Sequence, residues 1–426
     1  MSKKSKDAGR TGHDGYFARM SAALKEQGLL RPTLVIDEDR LEKNTATMLS
    51  HLPPGMACRI VVKSLPSLPL IQHTMKLTGT NHLMLFDLSF LGSVARDVPE
   101  ADILFGKPMP AALAARFYDE FQGGAFNPES QVQWLIDTPQ RLREYAALAE
   151  TRDLHLKVNI EIDIGLHRGG ISKPEDLSAL LNEIDANPRL TFSGLMGYDA
   201  HVAKMPGILR GHSLKKSRQL YQAMRAVAEQ HYPDRKNELT FNTAGSPTYQ
   251  FHNDLTGGTE VAVGSGLVKP LDFDCDTLAD HVPACFIATP VLKVEQKTKI
   301  PGIESLTGLT AFFNRKTAKA FFIYGGNWQA QPVSPSGLQT NKLYGRSSNE
   351  EMLNGSRKTA LEVDDLVFLR PTQSEAVFLQ FGDIAVYKEG KITQFWPVFQ
   401  QDSPKLRPKT APPAPPDSPP SNPKAQ

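Results

Sequence analysis

The feature that most limits how this chain can fold is a long alternation of short, β-branched runs with longer amphipathic stretches. Runs at Cys58–Lys63, His82–Phe86, Asp102–Gly106, Val132–Asp137, His155–Asp163, Thr191–Tyr198, Glu238–Asn242 and Thr259–Gly264 read as strands. Helical patterns such as Pro110–Glu120, Pro139–Glu150, Pro174–Asp185 and Ser213–Gln230 separate them, several opened by a proline, which suits a first helical turn. Strands joined through helices run parallel, because each helix carries the chain back to the same edge. Eight such units over about 210 residues predict an α/β fold, a parallel (β/α)8 TIM-type barrel, in preference to an open doubly wound sheet. A further strand at Thr33–Ile36 and a helix over 38–51 precede them.

From about residue 283 the texture changes. FIATPVLKVEQ, TAKAFFIYGG, DLVFLRP and DIAVYKEGKITQFWPVF are short, alternating and bounded by Gly, Pro and Asn. They predict a C-terminal antiparallel β domain. Residues 325–360, polar and rich in Gly, Ser and Asn, read as a lid or subunit-contact loop. The expected division is an N-terminal extension (1–30, disordered to about 14), a barrel (31–282), a β domain (283–402) and a Pro-rich disordered tail (403–426).

Composition narrows the function. A net charge of +2 with acids and bases interspersed argues against nucleic-acid or membrane-surface partners. Three widely spaced cysteines make neither a disulfide framework nor a CxxC zinc site and fit a reducing compartment. The basic start lacks a following apolar run, and no stretch approaches the ~18 apolar residues of a membrane span. A cytoplasmic protein is expected.

The chemistry gathers at predicted strand ends. Lys63 follows Ile60-Val61-Val62, where burial can depress an amine's pKa and free it as a Schiff-base nucleophile. In such a barrel, phosphates favour the loops after strands seven and eight. Those loops read Asn242-Thr243-Ala244-Gly245-Ser246-Pro247-Thr248 and Val263-Gly264-Ser265-Gly266. Small residues let amides approach an anion, and Ser246, Thr248 and Ser265 add hydroxyls. No Walker-type lysine follows, which favours a monophosphate over a triphosphate. Strand five ends in Glu161-Ile162-Asp163, followed by Arg168, and alternation turns both carboxylates inward. They either form an ion pair, Asp163 with Arg168, or orient a bound group. Tyr198 and His201 close strand six. A phosphate cradle, a strand-end lysine across the barrel and a polar ring between them match the needs of pyridoxal phosphate.

On these stretches the chain resembles the pyridoxal-phosphate enzymes of the alanine racemase-type barrel fold, specifically the D-threonine aldolase and D-serine dehydratase group. The resemblance runs from about residue 31 to 400, through PTLVIDEDRLEKN, RIVVKS, EIDIGLHRGGI, GLMGYDAHV, FNTAGSPTY, TEVAVGSG, DDLVFLRPTQSEA and WPVF. It implies that Lys63 carries the cofactor as an imine, with Arg59 on the same strand. It further implies that Arg168 and Tyr198 lie near the cofactor ring, and that Gly245, Ser246, Gly264 and Ser265 form the phosphate clamp. A homodimer is implied too, with the β domain helping to close the site. Two places depart from the pattern. Gln373-Ser374-Glu375 stands where aldolase and dehydratase members carry a His-x-Cys or His-x-Asp metal pair. Glutamine is a poor zinc or manganese ligand, so no catalytic metal is carried over. Gly266 stands where a tyrosine is common. The expected function is a lyase on a small D-3-hydroxy amino acid, with Lys63, His201 and Glu375 as catalytic candidates. The alternatives are an amino-acid racemase, a non-catalytic cofactor carrier and a barrel enzyme acting on a sugar phosphate.

Overall fold

The computed structural model describes residues 12–297, 318–341 and 345–400. The expected disorder before residue 12 and the Pro-rich tail lie outside the described residues.

After β1 (Thr33–Asp37), eight strands close into a barrel: β2 (Ala57–Val61), β3 (His82–Leu85), β4 (Asp102–Phe105), β5 (Val132–Ile136), β6 (Leu156–Ile162), β7 (Leu190–Gly197), β8 (Thr240–Thr243) and β9 (Glu260–Val263). Every neighbouring pair is parallel, including β2 with β9, which closes the ring. The expected strands thus appear within about two residues of their sequence positions. Their outward side chains, such as Ile160, Ile162 and Phe241, are fully or almost fully buried.

The second sheet contains β10 (Cys285–Glu295), β11 (Lys319–Tyr324), β12 (Ala330–Ser334), β13 (Gln339–Thr340), β14 (Glu350–Gly355), β15 (Leu366–Pro371), β16 (Ile384–Lys388) and β17 (Lys391–Trp396). It is antiparallel apart from the pairing of β1 with β16. So β1, expected with the barrel from its place in the chain, belongs to this sheet, hydrogen-bonded between β10 and β16. The extension before it does likewise. Helix Gly15–Glu26, capped by Asp14, lays Phe17, Met20 and Leu24 against Val35, Phe286, Phe368 and Ala385.

The expected lid over 325–360 contains β12, β13 and β14. Pro332 obscures β12 in the sequence, but among the described residues this strand pairs with β15 alone, and an edge tolerates a residue without an amide hydrogen. Glu351 obscures β14; it is wholly buried and paired with Arg346. The domains are fastened where Arg370, on β15, donates to the Lys269 carbonyl and grips Asp274 at 2.8 and 2.9 Å.

Candidate active site

The lower barrel is filled by a closed polar network. Arg59 is fully buried; its guanidinium meets Glu260 at 2.6 and 3.0 Å and Asp102 at 2.7 Å. Glu260 also accepts from Asn242 at 2.7 Å and meets His82 at 2.6 Å. Burial opposes its ionisation, but Arg59 and His82 outweigh that and hold the carboxyl at about 2.

Above this layer lies a cavity of about 640 Å³, open mouth included, within the usual size of a small-molecule site. Lys63, Arg168, Tyr198, Gly245, Ser246, Gly264, Ser265 and Glu375, all picked out from sequence, line it. Strand β2 stops at Val61, and a 3-10 turn, Val62–Ser64, carries Lys63 off the strand end. The ammonium lies 4.2 Å from the Phe86 ring centroid and 3.9 Å from Glu375 Oε1. Burial lowers the Lys63 pKa, Glu375 opposes this, and Arg168 and Lys107 reinforce it.

The lysine and the second phosphate-side turn are neighbours rather than opposites. Closure sets β9 beside β2, and Ser64 Oγ lies 2.8 Å from Ser265 Oγ. Glycines shape the cradle. A Cβ on Gly245 would lie 2.4 Å from the Tyr198 ring, and one on Gly264 would lie 2.8 Å from Val61. Their amides are already engaged: Gly245 N–H donates to Thr248 Oγ1, and those of Gly264 and Gly266 donate to Ser246 Oγ at 3.2 and 2.9 Å. With two donors on its oxygen, the Ser246 hydroxyl keeps its own proton for an anion in the cavity. Thr248, expected to face the anion, is buried and donates to Asp199.

Other expectations shift. Asp163 pairs with His167, not Arg168: its carboxylate accepts the amides of Gly165 and His167 and meets the His167 ring at 2.8 Å. Positive φ at Gly165 and His167 curls the loop so that Asp163 caps it. Arg168 lies 5.5 Å from the Tyr198 ring centroid. Burial, with Asp199 adding to it and Arg168 opposing, pushes the Tyr198 phenol up to about 12. Glu161 is half-buried, and burial raises its pKa. His201 does not line the cavity; it packs beside Gly165, with Nε2 3.4 Å from Ser217 Oγ. Phe86, Met196, Asn242 and Phe273 also line the wall, and sequence reasoning gave none of them a site role: Met196 and Asn242 lie inside the stretches that carry the resemblance, while Phe86 and Phe273 are apolar side chains that no motif marks.

Gln373 turns its amide onto Asp272 at 2.9 Å, and Glu375 stands beside Ser265, Ser374 and Lys63. Among the described residues, His and carboxylate atoms approach ligand spacing at Glu38, Glu42 and His73, but there the Lys388 ammonium pairs with both glutamates. The donors at the cavity do not fit a catalytic metal of the kind the resemblance would supply.

A closed parallel barrel with a lysine and an anion cradle at its carboxyl-terminal rim defines a class, and comparison names it. Residues 36–271 match the alanine racemase N-terminal domain, more than half of the chain, and the protein belongs to that family. The fold is shared with D-threonine aldolase from Filomicrobium marinum (TM-score 0.67, 16% identity, covering 86% of this chain and 95% of that one). It is also shared with D-threo-3-hydroxyaspartate dehydratase from Delftia sp. HT23 (0.64, 17%, 86% and 97%). Alanine racemase from Bacillus anthracis is similar as well (0.63, 14%, 86% and 97%). No curated protein matches the sequence significantly. The family's cofactor is pyridoxal 5'-phosphate, and the cavity fits it: a lysine amine with a lowered pKa, a serine hydroxyl with a free proton, and an arginine beside a tyrosine in the same wall. No helix among the described residues is long and apolar enough to cross a membrane.

Proposed function

We propose that this protein is a pyridoxal-phosphate-dependent lyase acting on D-3-hydroxy amino acids. The observation that carries the reading is the 3.9 Å separation of Lys63 Nζ and Glu375 Oε1 at the cavity's inner wall. Lys63 would hold the cofactor through its amine, with Ser246 and Ser265 on the phosphate side and Arg168 and Tyr198 beside the ring. When bound, the cofactor supplies an electron-poor ring that stabilises negative charge at the substrate Cα. Lys63, its pKa lowered by burial, serves as the base that takes the Cα proton. Glu375 receives that proton from Lys63 and delivers it to the departing β-oxygen, so that water leaves and neither residue is consumed. For retro-aldol cleavage the direction reverses: Glu375 takes the β-hydroxyl proton, and Lys63 returns one to Cα. Glu375 thereby stands where a metal polarises the β-hydroxyl in metal-dependent chemistry. A racemase needs a second base, and the Tyr198 phenol at about 12 is a weak candidate for that work. Homodimeric assembly in the cytoplasm completes the reading, with sedimentation as its check.

The test is incubation of the purified protein with D- and L-amino acids, with and without a chelator. Keto acid plus ammonia identifies a dehydratase, and aldehyde plus glycine an aldolase. Enantiomer exchange overturns the lyase reading, and activity lost to the chelator overturns the metal-free role of Glu375. Borohydride reduction followed by peptide mapping must label Lys63; a label elsewhere, or none with added cofactor, removes the basis of the mechanism.

A further inference from the structure

Beneath the first phosphate-side turn lies a buried side-chain relay that the proposed chemistry does not use. Asp199, two residues past the end of β7, is 1% exposed, and both carboxylate oxygens are engaged. Oδ1 accepts from Thr248 Oγ1 at 2.5 Å, and Oδ2 meets His252 Nε2 at 2.9 Å. Thr248 is fully buried, and His252 is 5% exposed. Because the Thr248 proton points to Asp199, its oxygen lone pairs face the turn, where the Gly245 amide donates to them at 3.2 Å. The Thr248 and Tyr249 amides return to the Gly245 carbonyl, each at 2.9 Å. Gly245 is thus fixed through both backbone polar groups, with Ala244 before it at φ +59°. Ser246, the next residue, is the one whose hydroxyl faces the cavity with a proton to give.

We infer that Asp199, braced by His252, is the positioning residue of the anion site, acting through Thr248 to fix Gly245 and aim Ser246. Asp199 touches no ligand itself. Its carboxylate is also the reason the Thr248 hydroxyl is unavailable to the anion: the turn surrenders one donor to hold another in place. A charge-assisted hydrogen bond sealed from water holds its geometry more tightly than a solvated one. The consequence is selective: the relay governs recognition of the phosphate and leaves the lysine's reaction with an aldehyde untouched.

The inference rests on the cofactor reading, and the experiment separates the two. Cofactor-free protein is titrated by absorbance with pyridoxal 5'-phosphate and, separately, with pyridoxal, which keeps the aldehyde and lacks the phosphate. If wild type binds neither, the cofactor reading fails and takes this inference with it. If wild type binds pyridoxal phosphate, Thr248→Val should weaken that affinity by about tenfold or more, the size of a lost charge-assisted hydrogen bond, with pyridoxal affinity unchanged. Thr248→Ser, which keeps the hydroxyl, should restore the wild-type ratio of the two affinities. Equal loss for both probes means general disruption of the fold, and no loss for either means the relay is idle; each overturns the inference. Asp199→Ala should reproduce the phosphate-selective loss. Where that variant does not fold, the valine–serine pair at 248 still decides.

Discussion

At the amino-terminal end of the barrel, Arg59 and Glu260 meet at 2.6 Å, both buried, with Asp102, Asn242 and His82 satisfying what remains. At the carboxyl-terminal end, Lys63 and Glu375 stand 3.9 Å apart, their side chains 40% and 31% exposed, over an open cavity. Both layers set a cation of the barrel against a carboxylate, the lower inside the ring of strands and the upper at its rim. The lower pair is closed by two carboxylates and a rigid guanidinium fork, so neither group can leave without stranding charge in a medium that cannot solvate it. The upper pair is loose, held by a flexible lysine and a carboxylate reaching across from another domain. Proton transfer needs groups that can change charge; a structural core needs groups that cannot. On the proposed mechanism these two demands are met at opposite ends of the barrel axis.

The largest expected effect isolates the upper layer. Lys63→Ala should lower turnover by about three orders of magnitude or more while changing folding stability by less than about 1 kcal/mol. Steady-state rates and a urea titration measure the two. A variant that unfolds, or that keeps its rate, would place Lys63 with the structural groups. The converse substitution is Glu260→Gln, which leaves Arg59 short of a counter-charge. It should cost about 3–5 kcal/mol of stability. The protein that remains folded should keep its kcat, and loss of kcat at unchanged stability would erase the distinction between the layers.

Acid titration sharpens the same point. Glu260 ionises at about 2 when folded, against about 4.3 for a free glutamate. In the window between those values the unfolded chain binds the proton and the folded one does not. Stability from this group is therefore complete above the unfolded value and is lost as pH falls towards 2. At roughly 1.4 kcal/mol per unit, its full contribution is about 3 kcal/mol. Denaturation midpoints from pH 6 downwards should fall more steeply for wild type than for Glu260→Gln. Parallel curves would mean that the carboxylate gains nothing from Arg59.

The two layers also differ in how far the amino-acid sequence reveals them, for physical reasons. The barrel itself is legible, because β-branched runs spaced by amphipathic helices carry a local signal that tertiary context has little reason to override. Lys63, Ser246 and Ser265 are legible too, because strand ends in such a barrel face one rim. Whatever depends on closure of the ring is not. Only the pairing of β2 with β9 makes Ser64 and Ser265 neighbours, and only the fold sets Asp199 against Thr248, 49 positions away. The partner of Asp163 is hidden because its loop doubles back through positive φ at His167, a position that no glycine marks. β1 is hidden for a similar reason: it precedes a helix as barrel strands do, and nothing local says that its partners lie some 250 and 350 residues downstream.

The smallest expected effect tests the claim that looseness serves chemistry. Glu375→Gln keeps the shape of the side chain and its ability to meet Ser265, while removing a group that can exchange a proton. Turnover should fall by about a hundredfold, the lower end of what one general acid contributes. Stability should hold to within about 0.5 kcal/mol, because a half-exposed pair at this distance contributes little. The substitution also removes the carboxylate that raises the Lys63 pKa, leaving burial, Arg168 and Lys107 to depress it further. The neutral amine should therefore appear at lower pH than in wild type, so the rise of the rate with pH should move to more acidic values. A reduced rate with an unmoved pH profile would mean that Glu375 acts on the substrate without sensing Lys63, and the 3.9 Å pair would then be proximity without coupling.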